Sequence, residues 1–274
     1  MKLARLASLL VALPAMGQQV EFPGQYAPSP AEWKYPVWPL GCARFEGADK
    51  AACLEFNVSD YGRRQRFAAA NKALPPPKPG ERRVVFFGDS ITDNWSKPGF
   101  GGFFPGKRYV NRGIGGQTTA QMLLRYRQDV LNLKPAAVVI LAGTNDIAGN
   151  AGPVTLEEIE DNLASMADLA RQHGIKVVLA TLLPVSDDKS DAKGQPLVRT
   201  GSRPPATIAE LNRWIAAYAG ANGHTVVDYF SAVADSNGRL KTTLNDDGLH
   251  PSAAGYAVMA PLAEAAIARA LLQK

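Results

Sequence analysis

The chain has only three histidines in 274 residues, so the search for a catalytic base is short. His250 lies in Asp247-Gly248-Leu249-His250-Pro251, where a three-residue turn can bring the Asp247 carboxylate back to the imidazole. That carboxylate would hold Nδ1–H and leave Nε2 free to accept a proton. The alternative is a plain helix-capping turn with a solvated histidine. His173 and His224 have structural readings, one at a predicted helix end where its charge complements the dipole, the other on a turn before a strand. Ser90, which follows Val84-Val85-Phe86-Phe87-Gly88-Asp89, is a candidate nucleophile for such a base. Acyl transfer also needs donors for a developing oxyanion. Asn111-Arg112-Gly113-Ile114-Gly115-Gly116-Gln117-Thr118-Thr119 can offer backbone N–H groups, since its glycines allow close approach and it opens a helix. In Ala142-Gly143-Thr144-Asn145-Asp146, the Asn145 amide can point at the same spot. Alone, the first segment also reads as a strand–helix turn and the second as an Asx turn.

These segments work together only if the fold delivers them to one place. The uninterrupted apolar run 84–87 reads as a strand buried on both faces, the kind found in parallel sheets, and Gly88 ends it. Ser90 is therefore expected in the loop beyond a strand's carboxyl end, the edge where open α/β sheets bind ligands. Strands are predicted at 83–88, 108–111, 136–142, 175–181 and 224–229. Helices are predicted at 117–133, 155–173, 205–221 and 252–272. Thr155 with Glu158 fits a capping box, and Gly174 a helix stop. This alternation implies a five-stranded parallel sheet in a three-layer α/β/α sandwich of flavodoxin-like type. The loops bearing Ser90, Gly116 and Asn145 then leave one sheet edge. The long connection Pro184 to Pro205 leaves the same edge and is expected to border the site. Before the sandwich, residues 18–80 are expected to form an arm, rich in Pro, Trp, Tyr and Gly from 18 to about 55, with one helix from Ser59 to Leu74 stopped by Pro75-Pro76-Pro77.

Gly88-Asp89-Ser90-Ile91, Gly116 in its glycine-rich block, Gly143-Thr144-Asn145-Asp146 and Asp247-x-x-His250 resemble, in order, the four blocks of the GDSL (SGNH) hydrolase family. The resemblance covers about residues 83 to 272 and is closest to the branch similar to platelet-activating-factor acetylhydrolase catalytic subunits. It implies a serine esterase or acylhydrolase, with Ser90 as nucleophile, His250 as base and Asp247 orienting it. The implied oxyanion hole comprises the Ser90 and Gly116 N–H groups and the Asn145 side chain. Two positions depart from the pattern: Ile91 stands where leucine is frequent, and Gln117, where an acid is common, could alter substrate contacts.

Other features bound the biology. Met1 to Gly17 has a secretory signal pattern, with Lys2 and Arg5 before an apolar core and Ala15-Met16-Gly17 suited to cleavage before Gln18. The domains expected are thus a signal peptide at 1–17, the arm at 18–80 and the hydrolase domain at 81–274, with a secreted or periplasmic location. No later stretch reads as a transmembrane span. Cys42 and Cys53 can pair in an exported protein or stay as buried thiols. Without Lys2 and Arg5 the formal charge drops from +5 to +3, scattered rather than striped, which disfavours nucleic acid. Neither metal-ligand spacing nor a cofactor motif is present. The segment 101–107 mimics a phosphate loop but lacks the Ser/Thr and the following helix. Trp95, Phe100, Phe103 and Phe104 could line a wall near Ser90 or simply pack. Two function classes follow. One is an exported serine hydrolase of short acyl esters, a small-molecule or carbohydrate ester being the partner, with acyl transfer to a sugar hydroxyl as a variant. The other is a non-catalytic carbohydrate-binding domain.

Overall fold

The computed structural model describes residues 59–273 together with 46–48, 50, 51 and 55. The predicted signal segment and both cysteines lie outside these residues. Five short strands follow the apolar runs: β1 (Val84–Gly88), β2 (Tyr109–Gly113), β3 (Ala137–Leu141), β4 (Lys176–Ala180) and β5 (Thr225–Val227). All pair in parallel, in the order β2-β1-β3-β4-β5. The order reverses between β1 and β3, and ligand sites in such sheets lie at that switch point.

The helices are α1 (Ala68–Ala73) before β1, then α2 (Ser90–Asn94), α3 (Thr119–Asp129), α4 (Thr144–Ile147), α5 (Leu156–Gln172) and α6 (Pro205–Ala221) between the strands, and α7 (Tyr229–Val233) and α8 (Ala253–Leu272) after β5. Side chains alternate across the sheet, so each strand feeds two cores. Val85, Phe87, Val138, Ile140 and Val177 face the side covered by α3, α5 and α6, where Met122, Leu163 and Leu211 are buried. Phe86, Val139, Leu141 and Val178 face the side covered by α8. The expected sandwich and its five-stranded parallel sheet are what the chain adopts.

Three details differ from expectation. The helix from Ser59 to Leu74 is confined to α1, because the Asp60 carboxylate accepts the Arg64 and Gln65 amides at 2.9 and 3.0 Å. These side-chain bonds hold a turn where a helix would need its own ladder. Short helices α2, α4 and α7 form where loops were expected, each at the exit of a strand. Finally, α8 is long and apolar enough to cross a membrane by length and composition, with a mean hydropathy of 1.3, which corrects the expectation that no later stretch is. Its alanines raise the average, while Tyr256, Met259, Ala263 and Ile267 form a buried stripe against the sheet.

The arm's described end is stitched to α3. Asn71 Nδ2 donates to the Gln128 carbonyl and the Asp129 carboxylate, and its Oδ1 accepts from Arg112 Nε at 2.8 Å.

Candidate active site

Ser90 owes its position to the exit of β1. Asp89 caps α2, its Oδ1 accepting the Ile91 amide at 2.9 Å, so Ser90 is the first residue of a short helix rather than part of a free loop. Gly88 is required by space: a Cβ there would stand 2.1 Å from Thr92 Oγ1 and 2.8 Å from the Leu141 carbonyl. Asp89 itself is buried, and burial pushes its carboxyl up to about 6, against the opposing pull of the Ile91 amide and the His250 and Arg203 charges. Its Oδ2 is buried with no hydrogen-bond partner among the described residues.

The loop before α8 brings Asp247 and His250 to this serine. Asp247 Oδ1 accepts the Leu249 and His250 amides at 3.0 and 2.8 Å, which closes the three-residue turn. Oδ2 then meets His250 Nδ1 at 2.9 Å, and His250 Nε2 lies 2.9 Å from Ser90 Oγ. An ionised carboxylate only accepts, so Nδ1 carries the proton and Nε2 faces the hydroxyl as acceptor. Burial would raise the Asp247 pKa, but the hydrogen bond and charge of His250 and two backbone amides outweigh it. The carboxyl is held far below the usual range. Gly248 bridges the turn at φ +81°, and a Cβ there would lie 2.3 Å from the Ser186 carbonyl. Arg199, from the connection expected to border the site, donates to the Asp247 carbonyl at 2.9 Å and to its Oδ2 at 3.0 Å.

The loops after β2 and β3 meet on the other side of Ser90. A Cβ on Gly115 would touch the Ser90 Cβ at 3.7 Å, which places the glycine block against the serine. Gly116 sits at φ +80°, and neither its N–H nor that of Ser90 has an acceptor among the described residues. Asn145, in α4, donates from Nδ2 to the Gln117 carbonyl at 3.0 Å. The amide's second hydrogen is left for a ligand. The structure thus brings together all five residues singled out from sequence: Ser90, Asp247, His250, Gly116 and Asn145.

Several contributors escaped sequence reasoning. Arg125 is fully buried in α3 and pairs with Asp129 at 3.0 Å. It also donates to the carbonyls of Gly88 (3.1 Å) and Arg112 (2.9 Å) and to Gln117 Oε1 (2.6 Å). One guanidinium therefore ties the ends of β1 and β2 to the glycine loop. Gln117 Nε2 donates to the Gly62 carbonyl, so the side chain is enclosed in this network instead of facing substrate. With Asp129 already balancing Arg125, a neutral amide suffices at 117. Asp146 accepts the Thr119 amide and hydroxyl, pinning α4 to the start of α3. Arg203 donates to Thr144 Oγ1 at 3.1 Å and to Asn145 Oδ1 at 3.4 Å. Only the length of the 184–205 connection hinted at the two arginines.

The aromatic group divides. Trp95 and Phe104 are buried, ring centroids 5.0 Å apart, beside Phe86 and Phe103. Phe100 packs edge-on against Tyr256, and these rings line one side of a cleft of about 400 Å³. Among the described residues no cluster of His, Cys, Asp and Glu could hold a metal ion.

A serine, a tautomer-fixed histidine and converging N–H donors are the parts that acyl transfer requires. The family comparison agrees: residues 86–258 match the model of the GDSL-like Lipase/Acylhydrolase family. The chain belongs to this family of carboxylic ester hydrolases. A GDSL-like lipase structure from Bacteroides thetaiotaomicron is 41% identical with a TM-score of 0.68, over 77% of this chain and 99% of that one. An acetylxylan esterase from Geobacillus stearothermophilus is 28% identical over 211 residues, which are 65% of this chain and 90% of its own. The uncharacterized lipoprotein YqeF of Bacillus subtilis (strain 168) is 34% identical over 125 residues, 39% of this chain, and only half of its length is spanned.

Proposed function

We propose that the chain hydrolyses short acyl esters, acetyl esters of carbohydrates foremost, through an acyl-enzyme on Ser90. The observation that carries this reading is the unbroken relay Asp247 Oδ2–His250–Ser90 Oγ, with both hydrogen bonds at 2.9 Å. As Ser90 Oγ attacks the ester carbonyl, its proton passes to His250 Nε2. Asp247 stabilises the imidazolium without taking the proton itself. The tetrahedral oxyanion is held by the Ser90 and Gly116 N–H groups and the free Asn145 N–H. His250 then protonates the departing alcohol. A water molecule, deprotonated by His250, attacks the acyl-enzyme and releases the acid. Support for the acetyl group and for a carbohydrate alcohol comes from the Geobacillus acetylxylan esterase. Ser90 and His250 are both partly exposed, which suits a bulky alcohol with a small acyl group. Export from the cell through Met1 to Gly17 belongs to the same reading.

Turnover of p-nitrophenyl acetate by wild type and Ser90→Ala tests it, followed by acetate release from acetylated xylan. Ser90→Ala should fall by roughly 10⁵–10⁶ in kcat. No turnover by wild type would favour a non-catalytic binding domain, and full turnover by the variant would remove Ser90 as the nucleophile.

A further inference from the structure

Asn150, just beyond α4, touches both non-serine components of the oxyanion hole proposed above. Its Nδ2 donates to Asn145 Oδ1 at 2.9 Å and to the Gly116 carbonyl at 3.3 Å, using both amide hydrogens. Its own backbone N–H donates to the Asn145 carbonyl at 3.0 Å, which fixes it relative to α4. Among the described residues, no other side chain hydrogen-bonds to both Asn145 and Gly116.

The consequence lies in the Asn145 amide. A primary amide can sit either way round, and its O and N ends differ completely in what they offer an oxyanion. Asn145 Oδ1 faces two donors, Asn150 Nδ2 and Arg203 Nη2 at 3.4 Å, while Nδ2 faces an acceptor, the Gln117 carbonyl at 3.0 Å. Turned over, the amide would set oxygen against oxygen at Gln117 and nitrogen against two donors at Asn150 and Arg203. Of the two donors Asn150 is the nearer, and it alone also holds Gly116. An oxyanion hole helps only if its dipoles are aimed before charge develops.

We infer that Asn150 is a positioning residue that locks the Asn145 amide with its N–H toward the reacting carbonyl and fixes the Gly116 loop beside it. This rests on the reading of Asn145 and Gly116 as oxyanion donors, and it concerns the transition state rather than substrate binding.

The test uses the full chain with p-nitrophenyl acetate and four variants, each checked by thermal melting. Asn145→Ala first examines the underlying reading, with an expected kcat loss of roughly 10²–10³. Unchanged kcat there would refute the oxyanion assignment itself. Given that loss, Asn150→Ala should lower kcat about tenfold with KM nearly unchanged, as expected when a support is removed and a donor is misaimed. Asn150→Asp keeps the size but presents acceptors where donors stood. It draws the Asn145 N–H toward itself and turns the Asn145 oxygen to the reacting carbonyl, so it should be worse than Asn150→Ala. A space-filling role predicts the opposite order. In the double variant Asn145→Ala/Asn150→Ala, the second change should cost clearly less than it does in wild type, since part of what it supports has gone. The inference is overturned if Asn150→Ala keeps wild-type kcat, if Asn150→Asp exceeds it in activity, or if the two losses multiply in full.

Discussion

Asp247 and His250 are three residues apart, and the bonds that join them lie within their own turn, with Arg199 added from one other segment. Gly116 and Asn145 are 29 residues apart and are set by Gln117, beside Gly116 in its own block, and by Arg125, Asn150 and Arg203 from three other stretches. The base side is also the wetter one: the Asp247 and His250 side chains keep 31% and 24% of their exposure, whereas Arg125 and Asp129 keep none. A proton shuttle must reach solvent and can be oriented by one short loop. An oxyanion hole works by dipoles that do not move, and several distant elements have to be bolted together to hold them.

Substituting the orienting acid probes the local side most strongly. Asp247→Asn would present an amide to Nδ1, with an N–H free to turn there and favour the wrong imidazole tautomer. A kcat loss of about 10⁴ is expected, with the fold intact. Steady-state kinetics with p-nitrophenyl acetate and a melting curve check both halves of the statement. A loss under tenfold would mean that something other than the turn orients His250.

The same contrast explains what could be read in advance. The Asp-x-x-His turn is local, so its residue spacing already contains its geometry. The strands were legible because 84–87 and 137–141 are unbroken apolar runs, and the sheet edge then followed from parallel topology. Arg125 was not legible, since an arginine within a polar-looking helix ordinarily faces solvent. Its burial depends on carbonyls at the ends of β1 and β2, which only the assembled sheet brings within reach. Asn150 and Arg203 were hidden for the same reason, each lying in a connection with no period. The α1 start was misjudged because Asp60 captures backbone amides that a helical pattern assigns to the ladder.

A pair of arginines gives the next test. Arg125→Met removes a buried partner and leaves Asp129 uncompensated, which should cost about 3–5 kcal/mol of stability. Arg199→Met removes a partly exposed partner of Asp247 and should cost under about 1 kcal/mol. Urea unfolding of both variants measures the difference. Equal costs would erase the distinction between a bolted side and a locally closed side.

An effect read only against pH separates the two acids beside Ser90 and His250, Asp89 and Asp247. Asp89 is raised to about 6 by burial, so the folded state holds its proton more tightly than the unfolded chain does at 3.8. Its stabilising share is therefore complete below pH 4 and lost as pH rises through 6, on the order of 3 kcal/mol by linkage. Asp247 has the opposite sign: its lowered pKa favours folding above pH 4, and that share is lost as pH falls further. Asp89→Asn keeps an oxygen for the Ile91 amide and removes the ionisation. Any cost of burying the new N–H is the same at every pH, so the variant's stability relative to wild type should rise between pH 4 and pH 8 by about the linkage amount. Thermal melts across that range read the rise directly. A flat difference would mean that Asp89 stays ionised in the fold, and the oxyanion side would then carry a buried negative charge directly behind its serine.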